Sequence, residues 1–307
     1  MTRIVVTGAS GNYGRAFTDA LIAKGGAQDL ILITRTPDKL TDRVAQGCEV
    51  RYGDFDKPET LAAAVTGADK MLLISGTRVG ARVVQHKAAI DAAAKAGVKH
   101  IAYTSFIGID DPANPAEVRH DHIETEQLIS ASGMAWTMLR DAHYADAMIL
   151  MAGPGVMQSG QWISNAGAGL EAMVWRDDCV AAAVAVMTSE GHEGQTYNIT
   201  GPELQTFEEV TAILSEVTGK SITYVSVDDE QQYAMFDAMG IPRRPVDDQT
   251  VGGLPWNSDD MVTFGQAIRE GFLEICSGDV EKLTGRPARS VRQMIEENVD
   301  FLRGAAQ

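Results

Sequence analysis

Ile4-Val5-Val6-Thr7-Gly8-Ala9-Ser10-Gly11-Asn12-Tyr13-Gly14 opens the chain. A short apolar run gives way to three glycines, each three residues from the last, and then to an amphipathic stretch, Tyr13–Lys24. This reads as a strand, a tight turn and a helix. The first glycine lets the chain turn, the second admits a pyrophosphate close to the backbone, and the third lets the helix pack on the sheet. The helix start then presents unbonded N–H groups to the phosphates. Three glycines alone are a weak signal, and the strand before and the helix after give them weight. The competing reading is an ordinary strand-to-helix turn with glycines for packing.

The same alternation recurs along the chain to about residue 140. Strands are predicted at Ile4–Thr7, Leu30–Thr34, Glu49–Tyr52, Met71–Ser75, His100–Ser105 and Trp136–Leu139. Helices are predicted between them at Tyr13–Lys24, Pro58–Val65, Val83–Ala96 and Asp121–Ser132. Short apolar strands separated by helices require a parallel sheet covered on both faces. Asp56 reads as a cap before Pro58, and Gly97 and Gly133 as helix stops. The second half differs. Residues 141–175, rich in Gly, Met and Ala, are expected to be irregular around a cleft. A helix over Asp178–Thr188, a strand over Thr196–Thr200, a capped helix from Thr206 to Val217 and a strand over Ile222–Val227 come next. A proline-rich loop within 241–262 reads as a lid, and helices over Met261–Leu273 and Ser290–Leu302 end the chain. The expected fold is α/β: a Rossmann-type doubly wound parallel sheet with a smaller, interleaved α/β C-terminal substrate domain. The dinucleotide domain would take residues 1–150 and about 176–200, and the substrate domain about 151–175 and 201–307.

At 307 residues, 45% hydrophobic and 22% charged, the chain can bury a large core. A net charge of −16 argues against nucleic acid or an anionic membrane surface as partner. No run approaches the ~20 apolar residues of a membrane span, and the N-terminus lacks a signal-peptide pattern. Cys48, Cys179 and Cys276 form neither a disulfide framework nor a CxxC metal motif, and each reads as a small buried hydrophobe. No cluster has metal-ligand spacing. The expectation is a cytoplasmic protein.

The end of the second strand distinguishes the two nicotinamide dinucleotides. An acid there would bond the ribose hydroxyl of NAD, whereas an arginine accommodates the 2′-phosphate of NADP. Arg35 stands at that point, with Lys39 nearby, and Asp38 lies too far on. NADP(H) is the expected cofactor, the competing reading being that Arg35 only solvates a strand end. Asp54 and Phe55 after the third strand are candidates to flank the adenine, and Ser75-Gly76-Thr77 after the fourth to lie near the nicotinamide. Plain turn chemistry would also account for both loops.

Further segments match a known family. They are Gln85-His86-Lys87, Ala96-Gly97-Val98-Lys99-His100-Ile101-Ala102-Tyr103-Thr104-Ser105, His122-Ile123-Glu124-Thr125-Glu126, Thr137-Met138-Leu139-Arg140, the run Gly191–Gly201, and Leu283-Thr284-Gly285-Arg286-Pro287. The chain resembles the NmrA-like branch of the atypical short-chain dehydrogenases, above all the type-2 quinone oxidoreductases and triphenylmethane dye reductases. That resemblance implies cofactor contacts at Gly8, Ser10, Gly11, Asn12, Tyr13, Gly14, Arg35, Ser75–Thr77, the segment Asp141–Asp146 with His143, and Arg176. The family commonly has Asn-Gly-Trp-Tyr where this chain has Asp141-Ala142-His143-Tyr144. That departure leaves the quinone assignment open.

The Tyr/Lys pair of standard short-chain dehydrogenases would fall on Val118 and His122, so the usual acid is absent. A quinone or an extended dye can still accept hydride, because the cofactor carries the hard chemistry. His122, Ser105 and Tyr144 are the candidate catalytic residues, His122 first because imidazole titrates near working pH. A solvated helix face, a strand cap and plain packing are their bland counterparts. His86, His100 and His192 read as surface or core residues with no role. The expected activity is NADPH-dependent reduction of an aromatic or quinone-like small molecule. A lignan-type benzylic ether reductase, an NADP-using isomerase and a non-catalytic NADP/NADPH sensor remain alternatives, and a homodimer stays open.

Overall fold

The computed structural model describes residues 2–246 and 257–304. The elements run β1 (Ile4–Val6), α1 (Asn12–Ala23), β2 (Leu30–Thr34), α2 (Thr41–Ala45), β3 (Glu49–Tyr52), α3 (Leu61–Val65), β4 (Lys70–Leu73), α4 (Arg82–Ala96), β5 (His100–Phe106), α5 (Val118–Ala131) and β6 (Ala135–Asp141). They continue with α6 (Ala145–Ser159), β7 (Gln161–Ser164), α7 (Arg176–Thr188), β8 (Gln195–Ile199), α8 (Phe207–Thr218), β9 (Thr223–Ser226), α9 (Asp229–Ala238), α10 (Ser258–Arg269), α11 (Asp279–Thr284), α12 (Val291–Glu297) and α13 (Val299–Gly304).

Seven strands form one sheet in the order β3-β2-β1-β4-β5-β6-β8, and the pairings from β3 to β5 are parallel. This is the Rossmann order, with its switch point between β1 and β4. The strand residues alternate between two apolar environments, as a pleated strand must. Val5, Ile31, Ile33, Met71, Leu73, Ile101 and Tyr103 join Leu61, Val65, Ile90, Ala93 and Ile129 of α3, α4 and α5 in one core cluster. Their strand neighbours Ile4, Val6, Leu30, Leu32 and Leu72 are equally buried, outside that cluster. The sheet is therefore covered on both faces, as its continuous apolar runs foretold. Tyr13 Oη donates to the Cys179 carbonyl at 3.0 Å and ties α1 to α7.

By contacts the chain forms two units. The first comprises residues 1–106, 120–140 and 179–197, and the second residues 107–119, 141–178 and 198–307. The second contains a two-stranded parallel sheet of β7 and β9 and most of the later helices. Thr206 and Ser290 cap α8 and α12 reciprocally with Glu209 and Gln293. Within it, the fully buried Asp178 carboxylate is paired by Arg286 at 2.7 Å and by Arg289 at 3.3 Å, and Arg289 lies 3.6 Å over the Trp175 ring.

Three local expectations are corrected. Residues 145–159, expected to be irregular, form α6, with Pro154 inside it and Gly160 closing it in the left-handed region. Asp56 does not cap the turn at Pro58; its carboxylate instead takes Arg78 at 2.9 Å and Gln85 at 2.7 Å. Cys276 is exposed, whereas Cys48 and Cys179 are buried. The greater part of the expected lid, residues 247–256, lies outside the described residues. Among the described residues no helix is long and apolar enough to cross a membrane, and no His/Cys/Asp/Glu group could hold a metal.

Candidate dinucleotide and substrate sites

The glycine loop has little freedom to be anything but glycine. Gly8 has φ +59°, a region that side chains disfavour. A Cβ on Gly14 would stand 2.5 Å from the Gly8 carbonyl oxygen and 2.7 Å from the Ala9 Cα. The loop thus closes tightly on the start of α1. Gly11 precedes that helix without a side-chain cap, and Gly11 and Asn12 are exposed. The first-turn amides of such a helix have no intrahelical acceptor, so the cradle suits the phosphates of a dinucleotide. Ala9 N donates to the Ile33 carbonyl at 3.2 Å, and Ser10 Oγ lies 2.9 Å from Thr34 Oγ1, which fastens the loop to the end of β2. Arg35 comes directly after, exposed and without a carboxylate partner among the described residues. Tyr13 differs from the loop residues around it, because its ring is buried and its hydroxyl is spent on Cys179.

The next two loops are held as firmly. Asp54 N donates to Thr60 Oγ1 at 3.0 Å, and Phe55 meets His86 edge-on at 6.0 Å. Ser75 N donates to Thr104 Oγ1 at 2.9 Å, and Thr77 is exposed. Gly76 is gripped at both ends: its amide donates to His86 Nε2 at 3.0 Å, and its carbonyl accepts from Arg82 Nε at 2.6 Å. His86 Nδ1 therefore carries the proton and faces Thr125 Oγ1 at 3.0 Å. Burial, and then the Arg82 charge, pushes the His86 pKa down to about 3. The residue thus has a definite task, holding the loop after β4, that nothing in its local sequence marks.

The three candidate acids each sit in a closed hydrogen-bond arrangement. His122 is buried, with Nε2 3.3 Å from Arg82 Nη1 and Nδ1 2.8 Å from Tyr103 Oη. An arginine only donates, so Nε2 accepts and the imidazole is neutral. Burial, followed by the nearby Arg82 charge, drives its pKa well below the usual histidine range. Ser105 Oγ donates to Glu126 Oε1 at 2.6 Å, and Arg140 pairs with the same carboxylate at 2.7 Å. Tyr144 Oη, in the second unit, donates to Asp141 Oδ2 at 2.7 Å. Its ring lies 5.4 Å below the Arg176 guanidinium, which is itself paired with Asp146 at 3.0 Å.

His143 stands apart from these. Its carbonyl accepts from Val174 N at 2.9 Å, and its Nδ1 lies 3.4 Å from Oε2 of Glu171, whose carboxylate is 2% exposed. Sequence reasoning does not single out Glu171, since nothing local marks it.

A family model described as NAD(P)H-binding matches residues 8–189. The chain belongs to the NAD(P)H-binding family. As a member, it is 36% identical to quinone oxidoreductase 2 of Escherichia coli over 95% of its own length and 97% of that protein. It is 30% identical to the NAD(P)H azoreductase of Xenophilus azovorans, covering 94% of each chain. The crystal structure of Citrobacter sp. triphenylmethane reductase complexed with NADP(H) matches this NAD(P)H-binding chain with a TM-score of 0.85 at 34% identity, over 97% of this chain and 99% of that one. The expected resemblance to NmrA-like quinone and dye reductases thus holds along nearly the whole chain.

Proposed function

We propose that the protein is an NADPH-dependent cytoplasmic reductase that passes hydride to a quinone or another conjugated aromatic small molecule. The observation that carries this is the glycine cradle, with Gly8 at positive φ and Gly14 packed too tightly on backbone for a side chain, beside an unpaired Arg35 at the end of the adjoining strand. Gly8, Ser10, Gly11, Asn12 and Gly14 would hold the pyrophosphate, and Arg35 the 2′-phosphate. Tyr13 would contribute backbone only, its side chain being committed to Cys179. Asp54 and Phe55 are assigned to the adenine end and Ser75, Gly76 and Thr77 to the nicotinamide end, while Asp141, His143 and Arg176 keep their assignment to the cofactor on the family resemblance alone. When bound, the reduced dinucleotide supplies the hydride.

The lost Tyr/Lys pair supports an acceptor that takes hydride without a strong general acid. In this reading His122 and Ser105 shape the first unit rather than donate protons, because both are locked into buried pairs. The names of the relatives, a quinone oxidoreductase, an azoreductase and a triphenylmethane reductase, support the aromatic class. The test is NADPH oxidation against quinones, azo and triphenylmethane dyes, enones and aryl ethers. Turnover with quinones or dyes is expected, and NADPH binding with no turnover of any acceptor would defeat the reading.

A further inference from the structure

Arg82 opens α4 in a setting that does not favour a cation. The start of a helix already carries partial positive charge, and α4 has neither a capping side chain nor an acid in its first turn. The guanidinium is half-buried. Its Nε donates to the Gly76 carbonyl at 2.6 Å, and Nη1 lies 3.3 Å from His122 Nε2. Among the described residues no carboxylate pairs with it. Asp121 feels its charge only from a distance, and the Asp121 carboxylate is occupied by Gly80 N at 2.7 Å. The imidazoles of His86 and His122 add no charge of their own, because burial first and then Arg82 disfavour their protonation. One positive charge without a counter-ion therefore stands directly behind Gly76. A neutral amide donor would grip the Gly76 carbonyl without opposing the helix dipole. Every residue named here lies in the first unit.

We propose that Arg82 makes the dinucleotide site prefer NADPH to NADP+, so that the oxidised product is expelled. This rests on the reading above that Ser75–Thr77 flank the nicotinamide. The reduced nicotinamide ring is neutral, and loss of hydride leaves it with one positive charge. A fixed like charge behind the loop disfavours the oxidised ring and has little effect on the reduced one. The 2′-phosphate and the pyrophosphate are common to both forms, so their contacts cancel in the ratio of the two affinities. That ratio has a counterpart in potential. Tighter binding of the reduced form raises the potential of the bound couple by about 30 mV for each tenfold, and so weakens it as a hydride donor. A quinone or a cationic dye holds electrons well enough to tolerate that loss, whereas a ketone has less driving force to spare. The arrangement suits one-way reduction, in keeping with the lost Tyr/Lys pair.

The test is equilibrium binding of NADPH and of NADP+ to the native protein, Arg82→Gln and Arg82→Lys, by titration calorimetry. The native protein is expected to bind NADPH more tightly by roughly 3- to 10-fold, the scale of a unit charge acting over about 10 Å at the effective dielectric of a protein site. Arg82→Gln keeps a donor for Gly76 and removes the charge, so the two affinities should come within about twofold of each other. Arg82→Lys keeps the charge and should keep the native preference. A loosened Gly76 loop would weaken both dinucleotides alike. An unmoved ratio in Arg82→Gln would therefore show a merely structural role and overturn the proposal. A native protein that binds NADP+ as tightly as NADPH overturns it as well, and that measurement needs no variant to fold. In both cases the reductase reading stands. A native protein that binds neither dinucleotide removes that reading and this proposal with it.

Discussion

Arg82 and His86, one helical turn apart on α4, hold the carbonyl and the amide of Gly76 at 2.6 and 3.0 Å. Two side chains from one helix face thus fix a single residue of the loop after β4. Arg82 reaches on to His122, and His122 to Tyr103, so the loop is anchored to a buried polar chain rather than to solvent. Removing one partner of a buried hydrogen bond leaves the other unsatisfied. His86→Ala is therefore expected to cost about 1–3 kcal/mol for the unmet Gly76 amide, with a further cavity contribution, in denaturant unfolding.

The same histidine sets a pH dependence. In the folded chain it stays neutral down to about 3, whereas an unfolded chain binds the proton near 6.5. Between these values the unfolded state holds more protons, so the stabilisation is full above about pH 6.5 and is lost as pH falls toward 3. The slope for one such group is up to about 1.4 kcal/mol per pH unit. Unfolding free energies measured between about pH 7 and pH 4 should fall more steeply for the native protein than for His86→Gln. Parallel slopes would count against this account.

Gly14 answers for the cradle. A methyl there would meet the Gly8 carbonyl and the Ala9 Cα, both backbone atoms. Gly14→Ala should lower stability by roughly 1–3 kcal/mol through overpacking and displace the loop. The expected readouts are a lower melting temperature and a weakened NADPH titration. Unaltered affinity would show that the phosphates lie elsewhere.

Arg35 tests the choice of dinucleotide. Charge-assisted hydrogen bonds are worth about 1.5–3 kcal/mol, so Arg35→Ala should weaken NADPH binding about 10- to 100-fold. NADH, which lacks the 2′-phosphate, should bind as before. Equal loss for both would assign Arg35 a structural part instead.

The first half of the fold was legible because β1, β2, β4 and β5 are buried on both faces and read as apolar blocks, whereas β3 at the edge of the sheet is exposed at both ends. β2 and β3 match their predicted bounds, and Gly97 stops α4 in the left-handed region. The second half resisted for physical reasons. Gly153, Pro154 and Gly155 argue against a helix locally, yet α6 forms there, and a Cβ on Gly153 would collide with Leu302, 2.8 Å away. Leu302 of α13 packs against Gly153, and that contact supplies packing that propensity lacks. α9 escapes the sequence reading although Asp228 and Gln231 form a full capping box. The cofactor loop could be seen in the sequence because its residues are contiguous. The pairing of His143 with Glu171 could not, since nothing near either residue announces the other and a strand-like bridge through Val174 brings them together.

The two arginines around Asp178 carry a consequence for how the chain is made. Arg289 lies 111 residues beyond Asp178. A ribosome therefore releases the start of α7 long before it releases the counter-charges of a carboxylate that ends fully enclosed. Until residues 286–289 emerge, enclosing that charge alone would cost several kcal/mol, and the nascent segment is better off hydrated. Maturation of the second unit is thus timed by residues 286–289, which must emerge before this corner can dry.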